Sequence, residues 1–294
     1  MTAVLQTQAV TGELVSGYRL SVRRFARNRL AVTGLAVVVL FLLFCFVGPL
    51  LYSTDQTHTD LTQVNLAPSG AHWLGTDAVG HDELGRLMYG GKVSLLVGLA
   101  AGLLATVIGT LWGAVAGYAG GWLDAVMMRV VDAGIAIPAL FILLVVSAIT
   151  TPDALGLIVI LGLVSWLVPS RLVRAETLSL KSRDYVLTLR AIGGTHGRAV
   201  FRHILPNSVS TIVVAATFQV ADAILLIAYV SYLGLGVQPP STDWGGMLSA
   251  GLTAAYSGRW WLIVPPGLAI ILVVCAFNAI GDGLRDAFDV RGRA

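Results

Sequence analysis

The chain has 294 residues, 56% of them hydrophobic and only 12% charged, with a formal net charge of +3 and a mean hydropathy of +0.81. So little charge cannot cover a soluble domain of this size, which excludes a soluble globular protein and indicates an integral membrane protein. The small positive excess does not describe a nucleic-acid groove either, because the basic residues are sorted along the chain instead of being clustered.

Residues 1–29 carry Arg19, Arg23, Arg24, Arg27 and Arg29, with Leu14, Tyr18, Val22 and Phe25 at spacings of three and four. This pattern predicts an amphipathic helix on an anionic inner leaflet. The apolar run that follows is too long for a signal-peptide core and lacks a small-residue cleavage site, so it reads as an uncleaved first span.

Charge-free or nearly charge-free runs then cover residues 30–51, 93–118, 130–151, 154–169, 208–235 and 262–280. Most are long enough for a hydrocarbon core of ~30 Å at about 1.5 Å per helical residue. The third holds Asp132 and Pro138, and the fifth holds Asp222. The expectation is an all-α bundle of six transmembrane helices over residues 30–283, with a tail at 284–294. Cys45 and Cys275 each lie inside an apolar run and read as small buried hydrophobes, not as a disulfide.

Orientation follows from Lys and Arg. With the N-terminus inside, only Arg86, Lys92 and Arg259 of the nineteen fall outside. Both termini and the segment 182–207 are therefore expected in the cytoplasm, and segments 52–92 and 234–261 on the outer face. In the second span Gly109, Gly113, Gly117 and Gly121 recur every four residues, after Gly98 and Gly102, a stripe that predicts close helix packing and a central position.

The segment 182–207, SRDYVLTLRAIGGTHGRAVFRHILPN, is a polar, basic island between apolar runs. It reads as two short helices, the first capped by Asp184 and broken at Gly193 and Gly194, the second capped by Thr195 and ended by Pro206. It holds no catalytic set, and its shape suggests a projection gripped by another protein. A DNA-binding helix-turn-helix is the competing reading, and its place between two spans argues against it.

Three other features bear on chemistry. RLMYGGKV (residues 86–93) approaches a phosphate-binding loop but lacks the first Gly and the Ser or Thr after Lys92. His58, His72 and His81 share the outer segment with Asp55, Asp60, Asp77, Asp82 and Glu83, yet no two histidines stand one helical turn apart. Capping and turn formation is the preferred account over a metal site. Asp222, with Gln219 one turn earlier, reads either as a pore-lining pair for a polar or cationic solute or as a contact between helices at a subunit interface.

Five stretches in order, RFARNRLAVTGL, HWLGTDAVGHDELGRLMYGG, RDYVLTLRAIGGTHGRAVFRHILPN, SYLGLGVQPPSTDWGGML and GDGLRDAFDVR, give the chain its resemblance. It resembles the permease subunits of binding-protein-dependent ABC importers, and within them the C-type permease of dipeptide and oligopeptide transporters. The resemblance implies the permease bundle of a type I importer, in which 182–207 forms the coupling helix seated in a groove of an ATPase. Its implied key positions are Asp184, Tyr185, Leu187, Ala191, Gly193, His203, Leu205 and Pro206. Leu187, Thr188 and Leu189 stand where the family signature has Glu-Ala-Ala, and Ile227 where such permeases often carry a Glu. Implied partners are a sister permease, two ATPase subunits that hold ATP and Mg, an extracytoplasmic binding protein and a peptide, with no cofactor in this chain. His72, Trp73, Gly75, Asp77, Gln238, Pro239 and Trp244 are the candidate docking positions for the binding protein. Nickel and glutathione permeases share the build. A stand-alone secondary transporter is the rival reading, and the chain offers it no obvious inverted repeat and only one strong intramembrane acid.

Overall fold

The computed structural model describes residues 20–56 and 59–288. Part of the N-terminal amphipathic stretch, His58, and the tail from residue 289 with Arg291 and Arg293 lie outside the described residues. Among the described residues every regular element is helical, apart from one isolated antiparallel bridge between Thr76 and Asp82. Residues 20–27 form α1, followed by α2 (Arg29–Phe46), α3 (Gly48–Leu51) and α4 (Glu83–Ala119). Next come α5 (Gly121–Ile135), α6 (Ala139–Thr150), α7 (Ala154–Ser165) and α8 (Leu167–Lys181). The polar island holds α9 (Asp184–Ala191), α10 (His196–Ala199), a π-helical turn (Val200–Ile204) and α11 (Leu205–Asn207). Then α12 (Val209–Tyr232), α13 (Trp244–Leu252) and α14 (Val264–Phe288) complete the chain.

Four helices, α2, α4, α12 and the stretch ending in α14, are long and apolar enough to cross a membrane. Two pairs pass the same test together but are bent, α5 with α6 by 75° and α7 with α8 by 46°. Counting each bent pair as one span gives the expected six. Each bend has a proline, Pro138 at the first break and Pro169 in the turn just after the second. Pro138 has no N–H for the carbonyl of Gly134, and Pro169 has none for that of Ser165.

Helix α4 is the axis of the bundle and touches α2, α5, α7, α8, α12 and α13. At about 1.5 Å per residue its 37 residues reach ~55 Å, longer than a hydrocarbon core. The glycine stripe is what lets its neighbours in. A Cβ on Gly109 would stand 2.6 Å from the Trp166 carbonyl and one on Gly117 2.8 Å from that of Arg174, while Gly113 faces the Ser170 carbonyl. The same device serves another face, where Gly102 meets the backbone of Val220 and Gly98 the side chain of Ile224. Gly121 does not belong to the stripe. It lies beyond Gly120, which caps α4 at φ +68, and a side chain there would meet open space.

The start of α4 lies ten residues before the apolar run, so residues 83–92 of the segment 52–92 are helical. Asp82 caps the helix, accepting from the N–H of Gly85 at 2.8 Å. Gly90 and Gly91 remain helical, and the phosphate-loop resemblance there has a packing origin. A Cβ on Gly91 would meet the indole of Trp244 at 2.7 Å. Trp244 is fully buried, donates from Nε1 to the Leu87 carbonyl at 3.0 Å and meets Phe41 edge-on. It therefore ties the second outer segment to α2 and α4.

Candidate functional site: the projecting loop and the membrane cleft

The polar island folds as two short helices around a glycine turn. Gly193 sits at φ +83, a conformation that favours glycine, and the N–H of Gly194 closes the turn on the Leu189 carbonyl. Thr195 caps α10 by accepting from the Arg198 N–H. Two expectations need correction. Asp184 lies inside the first turn of α9 instead of capping it, since the N–H groups of Val186 and Leu187 bond to the Arg183 carbonyl. Pro206 does not end the second helix. The π-turn donates the Leu205 N–H to the Val200 carbonyl, five residues back, and this wider turn lets the backbone pass the proline and run on into α12.

One face of this loop is locked to the bundle. Ala199, Val200 and Ile204 are buried with Ala114 and Tyr118 of α4 and Val173 of α8, and Leu189, Leu205 and Ile212 pack around them. Tyr118 adds polar ties: its hydroxyl lies 3.2 Å from His196 Nδ1, and Lys181 donates to its carbonyl. A lysine at that carbonyl also complements the negative end of α4.

The other face points away from the bundle. Asp184, Tyr185, Leu187, Ala191, Gly193 and Pro206 are exposed, while His203, whose ring lies 6.3 Å from that of Tyr185, and Leu205 are half-buried. Two apolar residues that the motif does not single out are the most exposed, Ile192 at 77% and Phe201 at 65%. Their signal in the sequence is a large apolar residue amid a basic loop.

On the opposite side of the bundle the two outer segments join. Trp261 Nε1 reaches the Thr76 carbonyl, and residues 54–56 and 240–242 border one cavity of about 290 Å³. The acids act as caps and turn-formers. Asp82 accepts from Tyr52 and from His72, each at 2.9 Å, His72 also meets Gln63, and Asp77 braces His81 and Arg86. Asp243 caps α13 through the N–H groups of Gly245 and Gly246; burial pushes its carboxyl up, while those donors hold it down. Of the candidate docking positions, Trp73, Gln238 and Pro239 are exposed and His72 and Asp77 half-buried. Trp244 and Gly75 are buried, and their role is to shape the surface from within.

Within the membrane, Asp222 and Gln219 open into a cleft of about 380 Å³. Its walls are the break between α5 and α6 (Ile135, Pro138), the break between α7 and α8 (Ser165, Leu167) and one face of α12. Asp222 stands ~20 Å along α12 from Val209, near mid-depth of the span. The side chain is exposed in the single chain and, among the described residues, has no hydrogen-bond or ion-pair partner. A carboxylate at a helix centre costs about 2.5–3.5 kcal/mol on insertion scales, so this face belongs against water or a partner, not lipid. Ile227, in contrast, is fully buried in the core with Val97 and Leu143, about 140° round the helix. Asp222 therefore does not take over the position held by Ile227.

An axial helix packed through glycines, two broken spans around a polar cleft, and a braced loop define a polytopic membrane permease. Two family models match the chain: the binding-protein-dependent transport system inner membrane component over residues 109–293, and the N-terminal TM domain of oligopeptide transport permease C over residues 16–68. A Brucella suis protein named provisionally as a peptide permease is 44% identical over 272 residues, 92% of this chain and 90% of that one. The oligopeptide transport system permease protein of Escherichia coli K12 is 41% identical over 273 residues, 92% and 90% of the two chains. The dipeptide transport system permease protein of Bacillus subtilis 168 is 37% identical over 271 residues, 92% and 85%. The chain belongs to the family of binding-protein-dependent transport system inner-membrane components, as a C-type permease of the dipeptide and oligopeptide kind. It is a multi-pass protein of the inner membrane.

Proposed function

We propose that this chain is one half of a two-subunit pore that imports dipeptides or oligopeptides, driven by ATP hydrolysed on separate subunits. The observation that carries the reading is the two-faced loop 182–207. Its inner face is fastened to α4 and α8, and its outer face leaves Tyr185, Leu187, Ile192 and Phe201 exposed among the described residues. A loop so braced transmits a push to the bundle as a rigid body.

In this scheme a substrate-loaded binding protein docks on the outer segments around Trp73, Gln238 and Pro239. Closure of two ATPase subunits around ATP and Mg moves the loop of this chain and that of a sister permease. The bundle then opens outward, receives the solute along the face of Gln219 and Asp222, and returns inward after hydrolysis. No bond in the solute is made or broken by this chain. The sorting of basic residues supports a cytoplasmic position for both termini and the loop.

Two measurements test the reading. Purification of this chain from its native membrane should bring down ATPase subunits and a sister chain; recovery of a lone, transport-competent carrier sinks the proposal. Gly193→Val forces a β-branched residue into φ +83 without a clash, since a Cβ there meets open space. The assembled variant is expected to hydrolyse ATP without uptake, and normal uptake counts against the loop's role. The ligand carried by the partner binding protein separates peptides from nickel or glutathione.

A further inference from the structure

We propose that the cleft beside Asp222 is a transfer site for a protonated amine, the cationic end of a peptide in transit. This rests on the peptide-permease reading and adds to it the chemical group that this chain recognises. Among the residues lining the cleft, Asp222 is the only charged one. It has no partner among the described residues, and the nearby charges on the packed helices, Asp132 of α5 and Arg171 of α8, are already paired with each other.

The rest of the polar lining, Gln219, Ser165 and Tyr229, is neutral and able to accept as well as donate hydrogen bonds. Gln219, one turn before Asp222 and buried, brings an amide to the same cavity, and the Ser165 hydroxyl of the same lining is buried without a partner among the described residues. The break between α7 and α8 adds a carbonyl deprived of its usual donor, at Ser165 by Pro169, whereas the Gly134 carbonyl at the other break accepts from the Ile137 N–H. An anion finds no cation here. A divalent metal finds a single carboxylate where oxygen-ligand sites use several, and no metal-holding group of three His, Cys, Asp or Glu occurs among the described residues. A monovalent ammonium, with three N–H donors, fits one carboxylate and several neutral acceptors. The cavity, about 380 Å³, is in the range of small-molecule sites. One carboxylate in an open cleft also binds weakly enough to release its guest, which conduction requires.

The test uses the complete transporter in proteoliposomes, with binding protein loaded with a labelled free-amine dipeptide, and compares wild type, Asp222→Asn and Asp222→Glu. Uptake is expected to fall about tenfold or more in Asp222→Asn and to stay within about threefold of wild type in Asp222→Glu, with the sister chain still co-purifying. The ratio of wild-type to Asp222→Asn uptake should shrink toward one as the outer pH passes the α-amino range near ~8, where the guest loses its charge. The pH response of the binding protein is common to both and cancels in the ratio. Uptake by Asp222→Asn within about twofold of wild type, or a ratio independent of pH, overturns the inference. So does joint loss of uptake and co-purification, which identifies a subunit contact. Absence of ATP-driven peptide uptake in the wild type is a separate failure, that of the permease reading itself.

Discussion

The guanidinium of Arg174 holds the carboxylate of Asp124 with two nitrogens, Nε to Oδ1 at 2.6 Å and Nη2 to Oδ2 at 2.7 Å. This joins the first turn of α5 to the middle of α8, beside the place where α8 lies on the glycines of α4. A second bridge between the same helices, Arg171 to Asp132, is single and half-exposed.

The geometry ranks the two bridges. A double-mutant cycle on Arg174→Leu and Asp124→Asn, read by thermal melting of the purified assembly, is expected to give a coupling of about 1–2 kcal/mol. The Arg171 and Asp132 pair should give less than about 1 kcal/mol, as exposed ion pairs do. Arg174→Lys keeps the charge but loses the fork, and should forfeit most of the coupling. Equal couplings for both pairs contradict this ranking.

Tyr52 supplies a pH signature for the outer segment. Its phenol is pushed up to about 12, first by burial and then by its hydrogen bond to Asp82 and the charge there. The uncharged phenol is the form that the fold favours. Its contribution is complete below the ordinary tyrosine value of about 10 and is lost as pH rises from there through the folded value. A difference titration of tyrosine absorbance between wild type and Tyr52→Phe should show one phenol ionising above the usual range. Ionisation of Tyr52 near 10 means that the contact with Asp82 is not made in the membrane.

Much of the bundle was legible because its rules are local. Length and hydropathy gave six spans, and Gly109, Gly113 and Gly117 announced a close neighbour because a missing side chain has few other uses at that spacing. Non-local causes were hidden. Helix α4 begins at Glu83 because Asp82 caps it, and residues distant in sequence fill the space over its glycines, Met247 and Asp243 over Gly90 and Trp244 over Gly91. Pro206 read as a stop because a π-turn leaves no pattern in the sequence. In the loop, the motif positions Tyr185 and Leu187 were found by resemblance, while Ile192 and Phe201 needed a structure to separate exposed apolar residues from anchoring ones such as Val200. The cleft at Asp222 was half legible: the acid was evident, but the convergence of two proline breaks on it is tertiary.

The two tryptophans of the outer face should part company on mutation. Trp244 is fully buried and bonded through its indole, so Trp244→Ala is expected to cost about 3–5 kcal/mol and to lower the yield of folded protein. Trp73 is 65% exposed and only leans on Tyr52, with ring centroids 5.8 Å apart. Trp73→Ala should leave melting within about 0.5 kcal/mol of wild type while weakening capture of the binding protein by the assembled transporter. Unchanged capture removes Trp73 from the docking surface.

The same division runs through the loop 182–207 and separates a mechanical part from a merely folded one. Phe201 and Ile192 are exposed and belong to no buried core cluster among the described residues, so Phe201→Ser and Ile192→Ser should move the melting of this chain by less than about 0.5 kcal/mol. Buried apolar residues at the centre of an interface typically carry 2 kcal/mol or more of it, so each variant should weaken retention of the ATPase subunits by about tenfold or more. Val200 and Ile204, one turn apart on the inward face, should behave oppositely. Ile204→Ala is expected to cost about 2–5 kcal/mol in the fold, because it empties the space between Tyr118 and Val173. Titrating ATPase subunits onto membranes holding each variant, alongside melting of the same preparations, resolves the two classes. If Phe201→Ser retains its ATPase subunits as wild type does, that side chain has no part in the grip, and the force must enter the bundle elsewhere on the loop.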